Sequence, residues 1–87
     1  MQIEFTMQLW KEDDQFVAHA MPLDVASAGS SPDEARAALD EAVRLFLRTA
    51  EEQGTLVDVL EEAGYVATAD GWQSPAWVAI ERHVVAA

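Results

Sequence analysis

Apolar and polar residues alternate along residues 2–10 of the chain. The side chains at every second position are apolar, namely Ile3, Phe5, Met7 and Leu9, and most of those between them are polar. Such alternation predicts a strand with one buried face. The same period returns in residues 15–21 after a charged turn at residues 11–14, so the two runs predict a β-hairpin.

A short third run, residues 25–29, follows Pro22, which lacks a backbone N–H and biases Met21 toward extended geometry. The small, β-compatible residues of this run favour a third strand that leads directly into a helix. An ordered loop is the alternative interpretation.

A long helix is predicted between Ser30 and Gly54. Ser31 as N-cap, Pro32 in the first turn and Glu34 three residues after the cap form a capping-box pattern. Gly54 supplies the end of the helix. At helical spacing one side is apolar, namely Ala35, Ala38, Leu39, Ala42, Val43, Phe46 and Ala50, widened by Leu45 and Leu47. The opposite side predicts ion pairs four residues apart, Asp40 with Arg44 and Arg48 with Glu52.

After Gly54 the pattern predicts a short helix capped by Thr55 and ended by Gly64. Residues 65–69 favour a brief strand, and breaks follow at residues 70–71 and 74–75. Residues 76–85 are rich in β-formers and predict a last strand, an apolar edge for pairing with a second copy or a partner chain. The expected fold class is therefore α+β, a mostly antiparallel sheet of three to five strands with one long and one short helix on one face, in the order β-β-β-α-α-β.

The composition is strongly acidic, with 16 Asp and Glu against five Lys and Arg and a formal net charge of −11. No basic cluster is present, so we expect no direct binding of nucleic acid. A basic protein would be attracted, although acidity also serves solubility alone. The chain has no cysteine, and we find neither a signal-peptide pattern nor an apolar run of about 20 residues. A cytoplasmic, single-domain protein of residues 1–87, without a membrane partner, is expected.

Residues with catalytic potential are few. The two histidines, His19 and His83, have no acidic residue at a metal-ligand spacing, and the carboxylates at residues 12–14 fit a solvated turn. Nucleophile-elbow, Walker and dinucleotide motifs are absent from the sequence. We therefore expect no enzyme activity, no cofactor and no metal. Three tryptophans remain, and side chains this large lie at a core rim or at an interface.

Several of these segments together resemble the HicB-like antitoxin family, in its short, solitary form. The resemblance covers roughly residues 3–65. It is strongest in the strand-to-helix junction at residues 29–35 and includes the acidic hairpin turn at residues 11–15. The other segments that carry it are residues 16–18, 21–25, 39–47 and 54–65. It implies a partial ribonuclease-H-like fold without the catalytic carboxylates of that enzyme. The implied role is that of an antitoxin, which neutralises a small, basic, HicA-like toxin that cleaves messenger RNA.

Two other functions remain open from the sequence. One is a stand-alone homo-oligomer, a dimer or tetramer with a structural or regulatory role; the other is a small-molecule sensor, for which the helix's alanines leave little room. Candidate partner-binding residues are the exposed aromatic and apolar positions and the turn after the second strand: Trp10, Met21, Leu23, Asp24, Trp77 and Ile80.

Overall fold

The computed structural model describes all 87 residues, Met1–Ala87. It contains six strands and two helices: β1 (Gln2–Ile3), β2 (Thr6–Glu12), β3 (Gln15–Met21), β4 (Val25–Gly29), α1 (Pro32–Glu52), α2 (Leu56–Glu62), β5 (Val66–Ala67) and β6 (Gly71–Gln73). The strands form two three-stranded sheets in which antiparallel pairing dominates. The predicted α+β class, with one long and one short helix, is confirmed.

The larger sheet has the order β2-β3-β4, with both pairings antiparallel. Glu12 pairs with Gln15, so the hairpin closes through two residues, the first of which, Asp13, has a φ of 54°. A positive φ at the first turn position matches the right-handed twist of the flanking strands. The third predicted strand, Val25–Gly29, is present with the predicted bounds.

The smaller sheet has the order β1-β6-β5, with β1 parallel and β5 antiparallel to β6. The single strand predicted over residues 2–10 is thus divided at Glu4 and Phe5, because β1 pairs with the C-terminal hairpin and β2 pairs with β3. The strand predicted over residues 65–69 is shorter than expected. Thr68 turns the chain, since its hydroxyl accepts the Gly71 N–H.

Both ends of α1 follow the local sequence. The Ser31 hydroxyl accepts a 3.1 Å hydrogen bond from the Glu34 N–H, as an N-cap does. The Glu34 carboxylate reaches one residue further back than a standard capping box, to the N–H and hydroxyl of Ser30. Gly54 has a φ of 72°, and the N–H of Thr55 bonds the carbonyl of Ala50, so α1 ends in a Schellman motif.

The short helix α2 ends in the same way. Gly64 has a φ of 93°, and the N–H of Tyr65 bonds the carbonyl of Leu60. Thr55 is the N-cap residue of α2, as predicted, but its side chain bonds no N–H of this helix, and its hydroxyl instead donates to the Ala50 carbonyl. Neither helix has both the length and the apolar composition that a membrane crossing needs.

The core lies between the larger sheet and the helices. Its eight residues are Ala18, Ala20, Leu23, Ala35, Leu39, Val43, Leu60 and Tyr65. Alanines on β3 face the small residues of α1, which permits close approach of helix and sheet, and α1 packs chiefly against β4 and β3. Leu47 packs against this core, but Leu45 is 61% exposed, so the predicted widening of the apolar side was wrong for Leu45.

The two predicted ion pairs of α1 have different outcomes. Arg44 donates to Asp40 at 2.9 Å, whereas Arg48 forms no ion pair with Glu52. Arg36 pairs with Asp33 at 2.9 Å instead, at the start of the helix. Because all these side chains are largely exposed, the pairs contribute only a few tenths of a kcal/mol each.

The predicted last strand, residues 76–85, is absent. Residues 76–87, which we call the C-terminal tail, pair with no strand and are exposed throughout. The β-forming character of this segment is real, but β-propensity describes how well a side chain fits a sheet and does not supply a neighbouring strand.

Candidate functional site

One face of the larger sheet has no helix over it. Alternate residues of β2 and β3 point to opposite sides, and Ala18, Ala20, Met7 and Leu9 belong to or pack against the core beneath the helices. The residues between them form the opposite side, which we call the open face: Thr6, Gln8, Trp10, Val17, His19, Met21, Ala26 and Ala28. A solvated sheet face normally carries polar residues, so its apolar members are notable.

The strand register places the largest of these side chains together. Trp10 lies opposite Val17, which in turn lies opposite Ala28. The Trp10 ring is 6.3 Å from that of His19, tilted by 57°, and the tryptophan remains 40% exposed. The open face therefore presents an aromatic side chain flanked by small apolar residues, the composition typical of an interface core.

Hydrogen bonds hold the polar side chains of this face in fixed positions. His19 Nε2 lies 2.6 Å from an Asp24 carboxylate oxygen, and Gln8 Nε2 donates to the Met21 sulfur at 2.9 Å. Asp24 reaches His19 from the bend between β3 and β4, where its φ is 61°. Aspartate tolerates this left-handed conformation better than most residues.

The structure divides the six predicted partner-binding residues into three groups. Trp10 and Met21 lie on the open face, and Asp24 lies at its margin, bonded to His19. Leu23 lies in the core with 8% exposure, so its side chain is not part of the surface. Trp77 and Ile80 belong to the C-terminal tail, where they are 43% and 66% exposed.

Sequence reasoning missed the contribution of Val17, His19 and Gln8 to this surface. The signal was available, because the alternation that placed Ala18 and Ala20 in the core puts Val17 and His19 on the other side. The His19–Asp24 contact was harder to foresee. It depends on the bend at Pro22, which brings two residues five apart in sequence to hydrogen-bonding distance.

Negative charge surrounds the open face. Glu12, Asp13 and Asp14 are exposed at the hairpin end, and Asp24 is exposed at the other end. Of the basic groups, Arg36 and Arg44 are paired with carboxylates on α1. Lys11 lies 5.9 Å from the Phe16 ring centroid. The electrostatic potential at this surface is therefore negative.

Clustered metal ligands and shifted pKa values were sought over the whole chain. No group of three or more His, Asp or Glu side chains is arranged to hold a metal ion. The one strongly perturbed group is Tyr65, whose pKa is raised from 10.0 to about 12 by burial and, secondarily, by the charge of Glu4. Tyr65 belongs to the core, and its burial there is the larger cause of the raised pKa.

Concave surfaces lie away from the open face. One depression of about 310 Å³, lined by Ile3, Phe5, Val43, Leu47 and others, lies between α1 and the N-terminal strand. Another lies beside β1 and β6 and is lined mostly by polar residues. None of the open-face residues lines a depression, whereas small-molecule sites are usually concave.

Comparison with known proteins adds no further constraint. No family model, no curated protein and no solved structure matches this chain.

Proposed function

We propose that this chain is a non-catalytic protein-binding module that docks a basic protein partner on the open face of its larger sheet. The observation that carries the proposal is the exposed Trp10 beside Val17 and Ala28, on a sheet face that no helix covers. A protein without a partner for this face would gain from polar residues at these positions.

The surface has the features of an interface hot spot. Tryptophan is enriched among the residues whose truncation costs most binding energy, particularly where smaller side chains around it exclude water. Met21 adds an adaptable apolar side chain at the other end of the open face, opposite Thr6. The His19–Asp24 contact at 2.6 Å and the Gln8–Met21 contact hold the margin in place before binding.

The net negative charge of the chain is the reason for proposing a basic partner. A chain with a formal net charge of −11 attracts basic proteins over long range, which raises the rate of association with them. The resemblance to HicB-like antitoxins suggests a specific member of this class. In that proposal the partner is a small, basic, HicA-like toxin that cleaves messenger RNA, and docking neutralises it.

The test is a binding titration with the product of the adjacent reading frame, provided that this product is short and basic. We expect a one-to-one complex whose Kd rises with salt, because opposite charges are screened. Trp10→Ala should raise the Kd by about 30-fold or more, the size of a hot-spot loss of 2 kcal/mol. The complex should also suppress cleavage of RNA by the partner.

The matched control is Leu45→Ala. Leu45 is an exposed apolar residue on α1, outside the open face, so its truncation should leave the Kd unchanged within about twofold. Equal losses for Trp10→Ala and Leu45→Ala would show that the open face is not the docking surface. Absence of binding to a short basic neighbour would contradict the antitoxin role itself.

A further inference from the structure

Two unpaired β-elements occur in the same chain. The C-terminal tail, residues 76–87, has strand-forming composition but no neighbour, and its side chains are exposed, Val78 by 97% and Val84 by 92%. Strand β2 pairs with β3 on one side and has no neighbour along its other side. An unpaired edge and an unpaired strand-forming segment are complementary, because each offers the N–H and C=O groups that the other lacks.

The tail leaves its own sheet for a local reason. The Glu4 carboxylate accepts hydrogen bonds from the N–H and the hydroxyl of Ser74, at 3.0 and 3.2 Å. The Ser74 N–H is thereby satisfied by a side chain, and Pro75 has no N–H to offer. Pairing with the N-terminal strand therefore stops at β6, and the tail departs from the fold.

The resulting molecule is extended. Its radius of gyration is 14.7 Å, whereas a compact domain of 87 residues has about 12 Å. Residues 76–85, when extended, span about 33 Å, more than the roughly 23 Å of the seven-residue β2. The tail is thus long enough to cover the whole edge of β2.

The free edge of β2 also has side chains that gain from a neighbour. Helix α1 lies mainly over β4 and β3, so Met7 and Leu9 on β2 are only partly buried. On the tail, Val78 and Ile80 share one side at the strand period of two, and the same side continues through Arg82 to Val84. A strand added beside β2 would place such side chains next to Met7 and Leu9 and extend the apolar layer beneath the helices.

We propose that two copies of this chain form a dimer in which the tail of each adds as a strand to the free β2 edge of the other. When each copy pairs its tail with the β2 edge of the other, the backbone groups of both tails and both edges are hydrogen-bonded in one two-fold symmetric interface. Each copy would contribute the seven residues of β2 and the ten of residues 76–85. This approaches the 20–30 residues a side of a specific interface.

Charge distinguishes a second copy from a basic partner as the occupant. Residues 76–85 contain one acid, Glu81, and one base, Arg82, so the tail adds no net charge to the acidic β2 hairpin of another copy. The dimer goes beyond the proposed docking function, and it is tested without any partner protein.

The first test is the mass in solution, measured by light scattering over a concentration series. We expect twice the 9.5 kDa of one chain for the unmodified protein. Ile80→Pro removes an N–H from the middle of the added strand and should give a monomer. Because Ile80 is exposed and unpaired within its own chain, circular dichroism should show an unchanged fold. Ala86→Pro lies beyond the exchanged segment and should remain a dimer.

The second test identifies the edge by hydrogen exchange. A two-residue hairpin closes on a hydrogen-bonded pair, so the N–H groups of Met7, Leu9 and Lys11 point away from β3. These amides should be at least tenfold more protected in the unmodified protein than in Ile80→Pro, whereas amides of β4 should not change. A monomeric unmodified protein, a dimer that survives Ile80→Pro, or a dimer without added protection in β2 would each overturn the proposal.

Discussion

The hydroxyl of Tyr65 donates a 2.6 Å hydrogen bond to the backbone carbonyl of Glu4, 61 residues earlier in the chain. Tyr65 lies three residues after the end of α2, and its ring belongs to the core. Glu4 lies at the break between β1 and β2, and its carboxylate binds Ser74. This one contact therefore ties the end of the helical layer to the point where the N-terminal strand passes from one sheet to the other.

Replacing Tyr65 with phenylalanine measures how much the hydrogen bond to the Glu4 carbonyl stabilises the fold. The ring would still fill the core, but the Glu4 carbonyl would lose its partner in a partly buried position. We expect the free energy of unfolding to fall by about 1–2 kcal/mol in urea titrations. Val66→Ala, at a neighbouring position that is 66% exposed, should change it by less than about 0.5 kcal/mol. Equal effects of the two substitutions would mean that the hydrogen bond contributes no stability.

The same contact predicts a pH dependence at alkaline pH. Burial, with a smaller effect from the Glu4 charge, raises the Tyr65 pKa from 10.0 to about 12, so the folded state favours the neutral phenol. Unfolded chains lose this proton at lower pH than folded ones. The stabilisation is therefore complete below pH 10.0 and is lost as the pH rises toward 12.

The chain contains a single tyrosine, so its titration can be followed directly by ultraviolet absorbance of the phenolate. The folded protein should titrate near 12 and the urea-unfolded protein near 10.0. Comparison with Tyr65→Phe removes the contribution of lysines and arginines to the pH dependence of unfolding. A folded-state titration at the ordinary value would contradict the buried contact.

The helices show which features of this fold are readable from sequence. Signals for α1 are local: Ser31 and Pro32 act within one turn, and Gly54 adopts the left-handed conformation that ends the helix. The open face was missed for the opposite reason. Its definition requires the pairing of Trp10 with Val17 and the bend that carries Asp24 to His19, which are relations between segments. Local patterns determine elements, but a site made by several strands depends on their register.

The two predicted helix caps provide a direct comparison. Ser31 accepts a hydrogen bond from the Glu34 N–H, whereas Thr55 bonds no N–H of α2. Ser31→Ala should therefore destabilise the protein by about 1 kcal/mol. Thr55→Ala loses only a 3.3 Å bond to the Ala50 carbonyl and should cost less than half as much. Thermal and urea unfolding of both variants would measure the difference, and a larger loss for Thr55→Ala would contradict the observed capping.

The C-terminal tail shows that strand-forming composition alone does not make a segment pair as a strand. Residues 76–85 predict a strand because valine, isoleucine and tryptophan fit a pleated surface, yet no strand of the same chain pairs with them.

Leu45 and Leu47 on α1 show that hydropathy alone does not determine burial. Their hydropathy is identical, but Leu47 packs against the core while Leu45 is exposed, because Leu45 lies farther around the helix from the buried residues Leu39 and Val43.

Two leucines on α1 test the position of the core. Leu39 is completely buried, and Leu45 is 61% exposed. Leu39→Ala should lower the free energy of unfolding by about 2–5 kcal/mol through lost burial and a residual cavity. Leu45→Ala should change it by less than about 0.5 kcal/mol, since alanine also favours the helix. With only nine buried residues in the chain, the loss at Leu39 is expected to unfold a measurable fraction of the protein at ambient temperature.

Asp24 combines a backbone and a side-chain requirement that three substitutions can separate. Its φ is 61°, which aspartate and asparagine tolerate and alanine does not, and its carboxylate lies 2.6 Å from His19 Nε2. Asp24→Ala loses both features and should destabilise the protein by about 1–2 kcal/mol. Asp24→Gly keeps only the backbone conformation, and Asp24→Asn keeps that conformation and a neutral hydrogen-bond partner.

The expected order of stability is therefore Asn above Gly above Ala at position 24, measured by urea unfolding at neutral pH. Binding of the basic partner should separate the variants differently. Asn and Gly both remove one negative charge at the margin of the open face, so both should weaken association by a similar factor at low salt, and less at high salt. Stability in the order Ala, Gly, Asn would show that the bend does not depend on the left-handed conformation. In that case the position of Asp24 beside His19 would have to be imposed by the strands on either side of it.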